Sequence, residues 1–525
     1  MTVTPNGDLY LCKTKLENDY KNQLTWANIN TQSEYFNGTV QNTFSEYTYM
    51  KKDSTITVGA SIDDIIDCNY LFYINNGFTS KRYYCFITKM EYVNENTTRI
   101  TIETDCFQTW YFELQYNRCF VEREHVNDDT IGLHTVPEGL ETGEYINTDF
   151  VDLTYSGYYT CIAVSENLFD TAQTPIQLYN NIPSGLTYII LKSSLDLNKA
   201  IQLYNAKTDA LFSIFIIPKE FVPTPNWLQW TFTFGSLQIT IDYAYVPNSI
   251  GTVGLGDIYV SIPTTINGYT PKNKKLFTYP YNFIKADNNA GTNVIYHYEL
   301  FSDITNCQFH QWGIVNSGCS IKTVPINYKN IQINFNDSFN DAKLPLGSWL
   351  NDPYINWLTQ NGVNMQSNLV KSTVGGIIGG AVAGGVMGAV AGGVVGGIKA
   401  TYDNLIAKES HDLIPQQVAG NTNSSDIMFS AGNIAPIFYR TCIKQEFAKI
   451  IDNYWDLYGY KINIVKVPNI TGRRNWNYVK TIDCNVDGDI PQTDLNIIKT
   501  MFNNGVTLWH NPNNMYNYSL DNSII

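Results

Sequence analysis

The sequence predicts a mainly β protein with α+β elements, and three observations carry that expectation. Aromatic residues reach 14% of the 525 residues, with 37 tyrosines. Asn, Thr and Tyr recur in short alternating runs, the residue usage of pleated, half-buried strands. Turn signals such as NNIPSG, PTPNW and TPKNKK punctuate these runs at intervals too short for long helices. A chain of this length holds several domains and sizeable cores.

Only 16% of residues are charged and the formal net charge is −14. A field of that sign repels polyphosphate, which argues against nucleic-acid capture but suits a surface past which DNA moves without sticking. The N-terminus MTVTPNGDLYLCKT lacks a basic segment followed by an apolar one, so synthesis in the cytoplasm is expected. Ten cysteines show neither CxxC pairs nor zinc-ribbon spacing and are expected as reduced core residues. A Cys307–Cys319 disulfide is conceivable but disfavoured by that compartment.

In chain order, residues 1–126 read as one β-rich unit. Ser61 at an N-cap position, with Asp63 and Asp64 behind it, opens a short helix. Tyr83–Val93 alternates apolar and polar residues, NENT turns, and a second strand runs to Asp105. Cys106–Val126 reads as helix, then strand. Residues 127–344 form a β-rich region of one or two domains, with strands at YYTCIAV, TYIILK, LFSIFII, QWTFTFGSLQITIDYAYV and IQINFN. Residues 345–431 change character, with two helical limbs leading into and out of an apolar tip. Residues 432–525 regain globular character. Phe447, Ile450, Ile451, Tyr454 and Leu457 carry a helical spacing that breaks at Gly459. Strands follow at YKINIVKVP and NYVKTIDC, and Thr493 caps a second helix that stops at Gly505 before the strand VTLWH. The stretches TIETDC and TIDC, each closing a hairpin before a helix, suggest a degenerate internal duplication.

The apolar tip, Ser372–Ile398, carries no charge over 27 positions. As a helix it would extend roughly 40 Å, enough to cross a hydrocarbon core of about 30 Å. Glycine fills 11 of the 24 positions from 374 to 397. Each glycine weakens an exposed helix in water by about 1 kcal/mol, whereas in a bilayer small residues let helices approach closely. Gly376, Gly380, Gly384, Gly388, Gly392 and Gly396 recur every fourth residue and stack overlapping GxxxG units on one face. A triggered membrane segment, a permanent anchor and a structural loop all remain open. The permanent anchor is disfavoured by long soluble-looking flanks and the lack of a second such segment.

No GxSxG, HExxH, Walker A or GxGxxG pattern is present, and no cofactor is expected. Glu122, Glu124, His125, Asp128, Asp129, His134 and Glu138 form the densest polar constellation. It has the chemistry for a metal or a carboxylate pair, but reads more readily as a solvated strand end and domain junction.

Several of these stretches resemble the tail knob proteins of small short-tailed phages that infect Gram-positive bacteria. The resemblance lies in NDYKN, Ile100–Val126, LIPQQVAGNT and above all Tyr458–His510, while the middle is similar only at VEREHV and EGLETGEY. It implies a non-enzymatic virion protein of the tail tip. Six copies would form the distal tail tube through which DNA leaves, with other tail proteins and the host cytoplasmic membrane as partners. Two tube-wall β-barrel-type domains, 1–126 and 432–525, would flank the β-rich insertion and the long apolar helical or loop hairpin.

In that reading the hairpin plugs the lumen and later enters the membrane. Its inserting residues would be Gly376, Ile377, Ile378, Gly380, Val382, Gly384, Val386, Met387, Gly388, Val390, Gly392, Val394, Val395, Gly396 and Ile398. Trp349 and Trp357 would anchor at the interface, or serve as ordinary packing residues, and Lys371 and Lys399 would stay near headgroups. His411, with Glu409 and Asp412, would be the acid-sensitive element. The alternative is a tail adhesin binding cell-wall carbohydrate without membrane activity.

Overall fold

The computed structural model describes residues 6–45, 47, 54–76, 80–153, 155–170, 177–179, 182–184, 186–204, 207, 210–246, 257–288, 291–312, 320–343 and 436–525. The Ser372–Ile398 run and its flanks lie outside them. The architecture is mainly β, divided into two units: residues 1–143, 268–278 and 444–525 form the first, and 144–267 with 279–443 the second.

In the first unit, period-2 alternation builds an antiparallel sheet of six strands in the order 40–44, 7–12, 70–75, 82–94, 97–104, 55–58. The expected hairpin is its longest part, Arg82–Asn94 paired with Thr97–Thr104 across Glu95 and Asn96. Both faces are buried. Leu9, Leu11, Leu71, Cys85, Ile100 and Ile102 point into one core together with Ile65 of the short helix Ile62–Ile65. Tyr70, Phe72, Tyr84 and Phe86 point into another, shared with Trp476, Val479, Ile498, Phe502 and Trp509. Burial on two sides explains the near-continuous apolar run YLFYI, which alternation alone would not produce.

The second sheet of this unit has the order 22–24, 506–509, 476–482, 119–124, 460–466. Asn22–Leu24 runs parallel to Val506–Trp509 and all other pairings are antiparallel. The ends of the chain, read from sequence as 1–126 and 432–525, therefore share one sheet and one core. Tyr460–Lys466 and Trp476–Ile482 do not form the expected hairpin, because Cys119–Glu124 lies between them and pairs with both.

The helix Gln445–Tyr458 ends at Gly459, whose φ of 64° requires glycine. A Cβ at Gly459 would overlap the Glu124 carbonyl. Its buried residues are Ala448, Ile451, Asp452 and Trp455, while Ile450 is 66% exposed. The helix is thus rotated from the face read in the sequence, because hydrogen bonds hold Asp452 at a core position. The helix Gln492–Asn504 has Pro491, not Thr493, at its N-cap and stops at Gly505, where φ is 93°.

In the second unit, strands form at each of the places expected in the middle region, although IQINFN is strand only over Ile331–Ile333 and continues as a 3-10 turn, Phe335–Asp337. The strands 211–218, 158–164, 187–191, 237–245 and 228–234 make one antiparallel sheet. A helix not foreseen in the sequence, Ser194–Tyr204, packs Leu197, Ala200, Ile201 and Tyr204 onto it, an i, i+3, i+4, i+7 stripe. A four-stranded sheet in the order 145–152, 437–443, 282–287, 293–296 shares a core with the sheet containing 257–260 and 307–312. Ile437–Ile443, read from sequence as part of the C-terminal domain, belongs here. Cys307 is a buried free thiol, and Cys319 lies outside the described residues.

Candidate functional site

The residues expected from the sequence to enter a membrane, from Gly376 to Ile398 as named above, the flanking Trp349, Trp357, Lys371 and Lys399, and His411 with Glu409 and Asp412 all lie outside the described residues. Among the described residues, no helix is long and apolar enough to cross a membrane.

The polar constellation is a junction in the first unit, with the Glu124, His125 and Glu138 side chains buried and Asp128 exposed. Glu138 and Glu124 have fully buried side chains. Glu138 pairs with Arg123 and Lys275 and accepts from the Lys461 backbone N–H at 2.9 Å. Glu124 pairs with Lys466 and accepts from the Asn469 N–H at 2.8 Å. Asp129 accepts from the Lys274 N–H at 2.8 Å and the Tyr460 hydroxyl at 2.6 Å, and burial raises its pKa. Glu122 is bound to Lys480 at 2.9 Å, and Asp128 accepts from the Thr130 N–H at 2.9 Å.

His125 joins two elements. Its Nδ1 accepts the Tyr478 N–H at 2.7 Å, so Nε2 carries the proton and donates to the Asp456 carbonyl at 3.1 Å. Burial depresses its pKa to about 3, which keeps the ring neutral. His134 donates to the Asp128 carbonyl. These carboxylates and imidazoles are engaged within the fold, and no group of three or more His, Cys, Asp or Glu among the described residues is placed to hold a metal ion.

The partner of this junction is a segment that composition marked only as a turn. Residues 268–278 return to the first unit and strap across the helix Gln445–Tyr458. The Asp452 carboxylate accepts from the Tyr269 hydroxyl at 2.7 Å, the Lys272 N–H at 2.8 Å and the Asn273 N–H at 3.0 Å. The Asn273 side chain adds bonds of 2.9 and 3.1 Å to the Asp452 carboxylate and carbonyl, and Lys272 pairs with Asp456 at 2.7 Å. Lys275, with 3% side-chain exposure, reaches Glu138 and the Val136 carbonyl. Burial lowers its pKa against the opposing pull of Glu138. One sequence signal for the strap existed: an aspartate within the apolar stripe of a helix needs partners.

Such a site holds elements together, and its chemistry is structural. Comparison with known proteins agrees. The family described as Bacillus phage phi29 tail knob protein gp9, C-terminal domain, matches over residues 249–523, more than half of the chain. The caudoviral major tail protein N-terminus matches over residues 9–115. The chain is 26% identical to tail knob protein gp9 of Bacillus phage PZA and 25% identical to that of Bacillus phage phi29, in each case over 98% of both proteins. The solved tail knob protein gp12 of bacteriophage C1 shares the fold, with a TM-score of 0.62 at 14% identity over 99% of this chain and 100% of that one.

The family match and the relatives define a structural, non-enzymatic component of a phage tail. The chain belongs to the tail knob protein gp9 family, and it is a virion protein located at the tail.

Proposed function

We propose that six copies assemble into the distal tail tube, that DNA leaves through its lumen, and that residues 345–431 plug that lumen before entering the host cytoplasmic membrane. One observation carries the reading: the glycine ladder from Gly376 to Gly396 within an uncharged run of 27 residues. Small residues at every fourth position let several copies crowd a narrow channel and later pack in lipid. Gathering six apolar tips inside a tube also hides them from water until release. The two sheets of the first unit supply the wall, and the negative surface lets DNA pass without adhering. Neighbouring tail proteins on the collar side and at the tip are its other partners. The tail-protein relatives do not favour the adhesin alternative as the role of the chain.

Negative-stain imaging of the purified protein, with and without residues 372–398, tests this. Six-fold rings whose filled centre becomes hollow on deletion are expected. Monomers, or rings unchanged by the deletion, would overturn it.

A further inference from the structure

A separate feature of the first unit adjoins the buried junction, sharing Tyr478, whose N–H His125 accepts, and Tyr458 at the end of the strapped helix. An open cleft of about 680 Å³ is bounded by Tyr458, Tyr478 and Tyr518, with the amides of Asn22, Asn496 and Asn504 at its sides. Thr500 and Thr507 add hydroxyls, and Met501 and Ile497 supply an apolar patch on the helix Gln492–Asn504.

The aromatic walls are preformed. Tyr518 packs against Trp509 at 5.0 Å and Trp476 at 5.3 Å, and its hydroxyl donates to Asn22 Oδ1 at 3.2 Å. The same Asn22 oxygen takes the Trp509 indole N–H at 3.0 Å. Tyr458 meets Tyr478 edge-on at 5.1 Å. The Tyr478 hydroxyl sits where a side chain at Gly505 would be, and Gly505 holds a φ of 93°. That glycine, which the sequence marks only as a helix stop, also makes room for one wall of the cleft.

The lining selects among ligand classes. Its charges among the described residues, Asp19 and Lys21, form an ion pair of 2.9 Å and cancel, which leaves no net charge to favour a phosphate or a carboxylate. The lining combines amides and hydroxyls with the rings, so a purely apolar guest would strand polar groups. Rings that take C–H faces, beside amides that both donate and accept, match a polyhydroxylated ring with one apolar and one polar surface.

We propose that this cleft binds a neutral hexose-based oligosaccharide, giving the tail protein a sugar contact in addition to its structural role. Tyr458 and Tyr518 stack on sugar rings, while Asn496, Asn504 and Thr500 bond the hydroxyls. The proposal does not depend on the glycine ladder or on the number of copies in the assembly.

Saturation-transfer NMR on the full-length protein, with maltotriose and chitotriose as probes, tests it. Saturable transfer to the sugar C–H protons of at least one probe is expected. Tyr458→Ala should weaken that binding about tenfold, the loss of one stacking contact, and Tyr458→Phe should retain it. Asn496→Ala, on the exposed side of a helix, should weaken it about fivefold without unfolding the unit. Absence of transfer from both sugars at about 10 mM would overturn the proposal. So would binding that is indifferent to Tyr458→Ala and Asn496→Ala, or an extended peptide occupying the cleft where neither sugar does.

Discussion

Asn273 clasps Asp452 at three points, donating its backbone N–H at 3.0 Å and its side-chain amide at 2.9 Å to the carboxylate, and that amide again at 3.1 Å to the Asp452 carbonyl. The two residues are 179 positions apart, and both are almost fully buried. A carboxylate taken out of water survives only if its lone pairs are filled, and here the strap fills them.

Removing the acceptor leaves several buried donors without a partner. Asp452→Ala should therefore destabilise the first unit by about 3–5 kcal/mol, and Asn273→Ala by about 1–3 kcal/mol. Urea midpoints at constant slope report both. A loss below about 1 kcal/mol for Asp452→Ala would show that the strap is a passenger.

The His125 ring gives the first unit a dependence on acid. Its folded pKa of about 3 lies below the ordinary histidine value of 6.5, because burial penalises the imidazolium. His510, whose Nε2–H donates to Asn477 Oδ1 at 2.9 Å and whose Nδ1 accepts from the Thr25 hydroxyl at 2.8 Å, is pushed down to about 4 for the same reason. A depressed pKa means that the unfolded chain takes up the proton first. The stability is complete above pH 6.5 and is lost as pH falls toward the folded values, by about 1.4 kcal/mol per pH unit for each ring. Melting curves between pH 7 and 5 should show the decline, and His125→Gln should flatten it. Parallel curves for the two proteins would exclude His125 as a source.

The second unit has the opposite sign at Asp341. The carboxyl is 1% exposed, with Oδ2 accepting from Gln311 Nε2 at 2.7 Å and Thr323 Oγ1 at 2.6 Å. Oδ1 has no hydrogen-bond partner among the described residues, and burial raises the pKa to about 7. The folded state holds its proton more tightly than the unfolded one, so stability is fully present below about pH 4 and is lost as pH rises through 7. Asp341→Asn removes the charge and keeps an acceptor for both donors. It should stabilise the protein at pH 8 by on the order of 3 kcal/mol, with the gain fading toward pH 4. A gain that does not vary with pH would mean the carboxyl is ionised throughout.

Local rules made much of the first unit legible and failed where partners are distant. The 82–104 hairpin, the stops at Gly459 and Gly505 and the alternating strands of the middle region each follow from a few adjacent residues. The insertion of Cys119–Glu124 between two C-terminal strands does not, since Arg123 binds the Gly459 carbonyl across 336 positions. Helical spacing pointed to Phe447 and Ile450 as core because apolar periodicity counts side chains, whereas the strap makes Asp452 a core residue. The same residues explain why the constellation looked in sequence as though it had the chemistry of a site. Glu124, Asp129 and Glu138 cluster in sequence like ligands, yet their partners Lys466, Tyr460 and Lys275 come from far along the chain.

The glycine ladder yields the last prediction. If close packing of small faces drives insertion, the effect depends on glycine at every fourth position and not on hydrophobicity alone. Gly384→Leu with Gly388→Leu makes the segment more apolar, which on burial alone would strengthen membrane entry, yet it fills the groove through which copies approach. Dye release from phospholipid vesicles by full-length protein should fall by about tenfold or more in this double variant, since losing the tight crossing costs on the order of 1–2 kcal/mol per pair of helices and several pairs act together. Gly384→Ala with Gly388→Ala, which keeps a small face, should leave most of the release intact. Equal or greater release by the leucine variant would show that hydrophobicity suffices and would remove the ladder as the reason for this sequence. Release absent even from the unmodified protein would remove the membrane role itself.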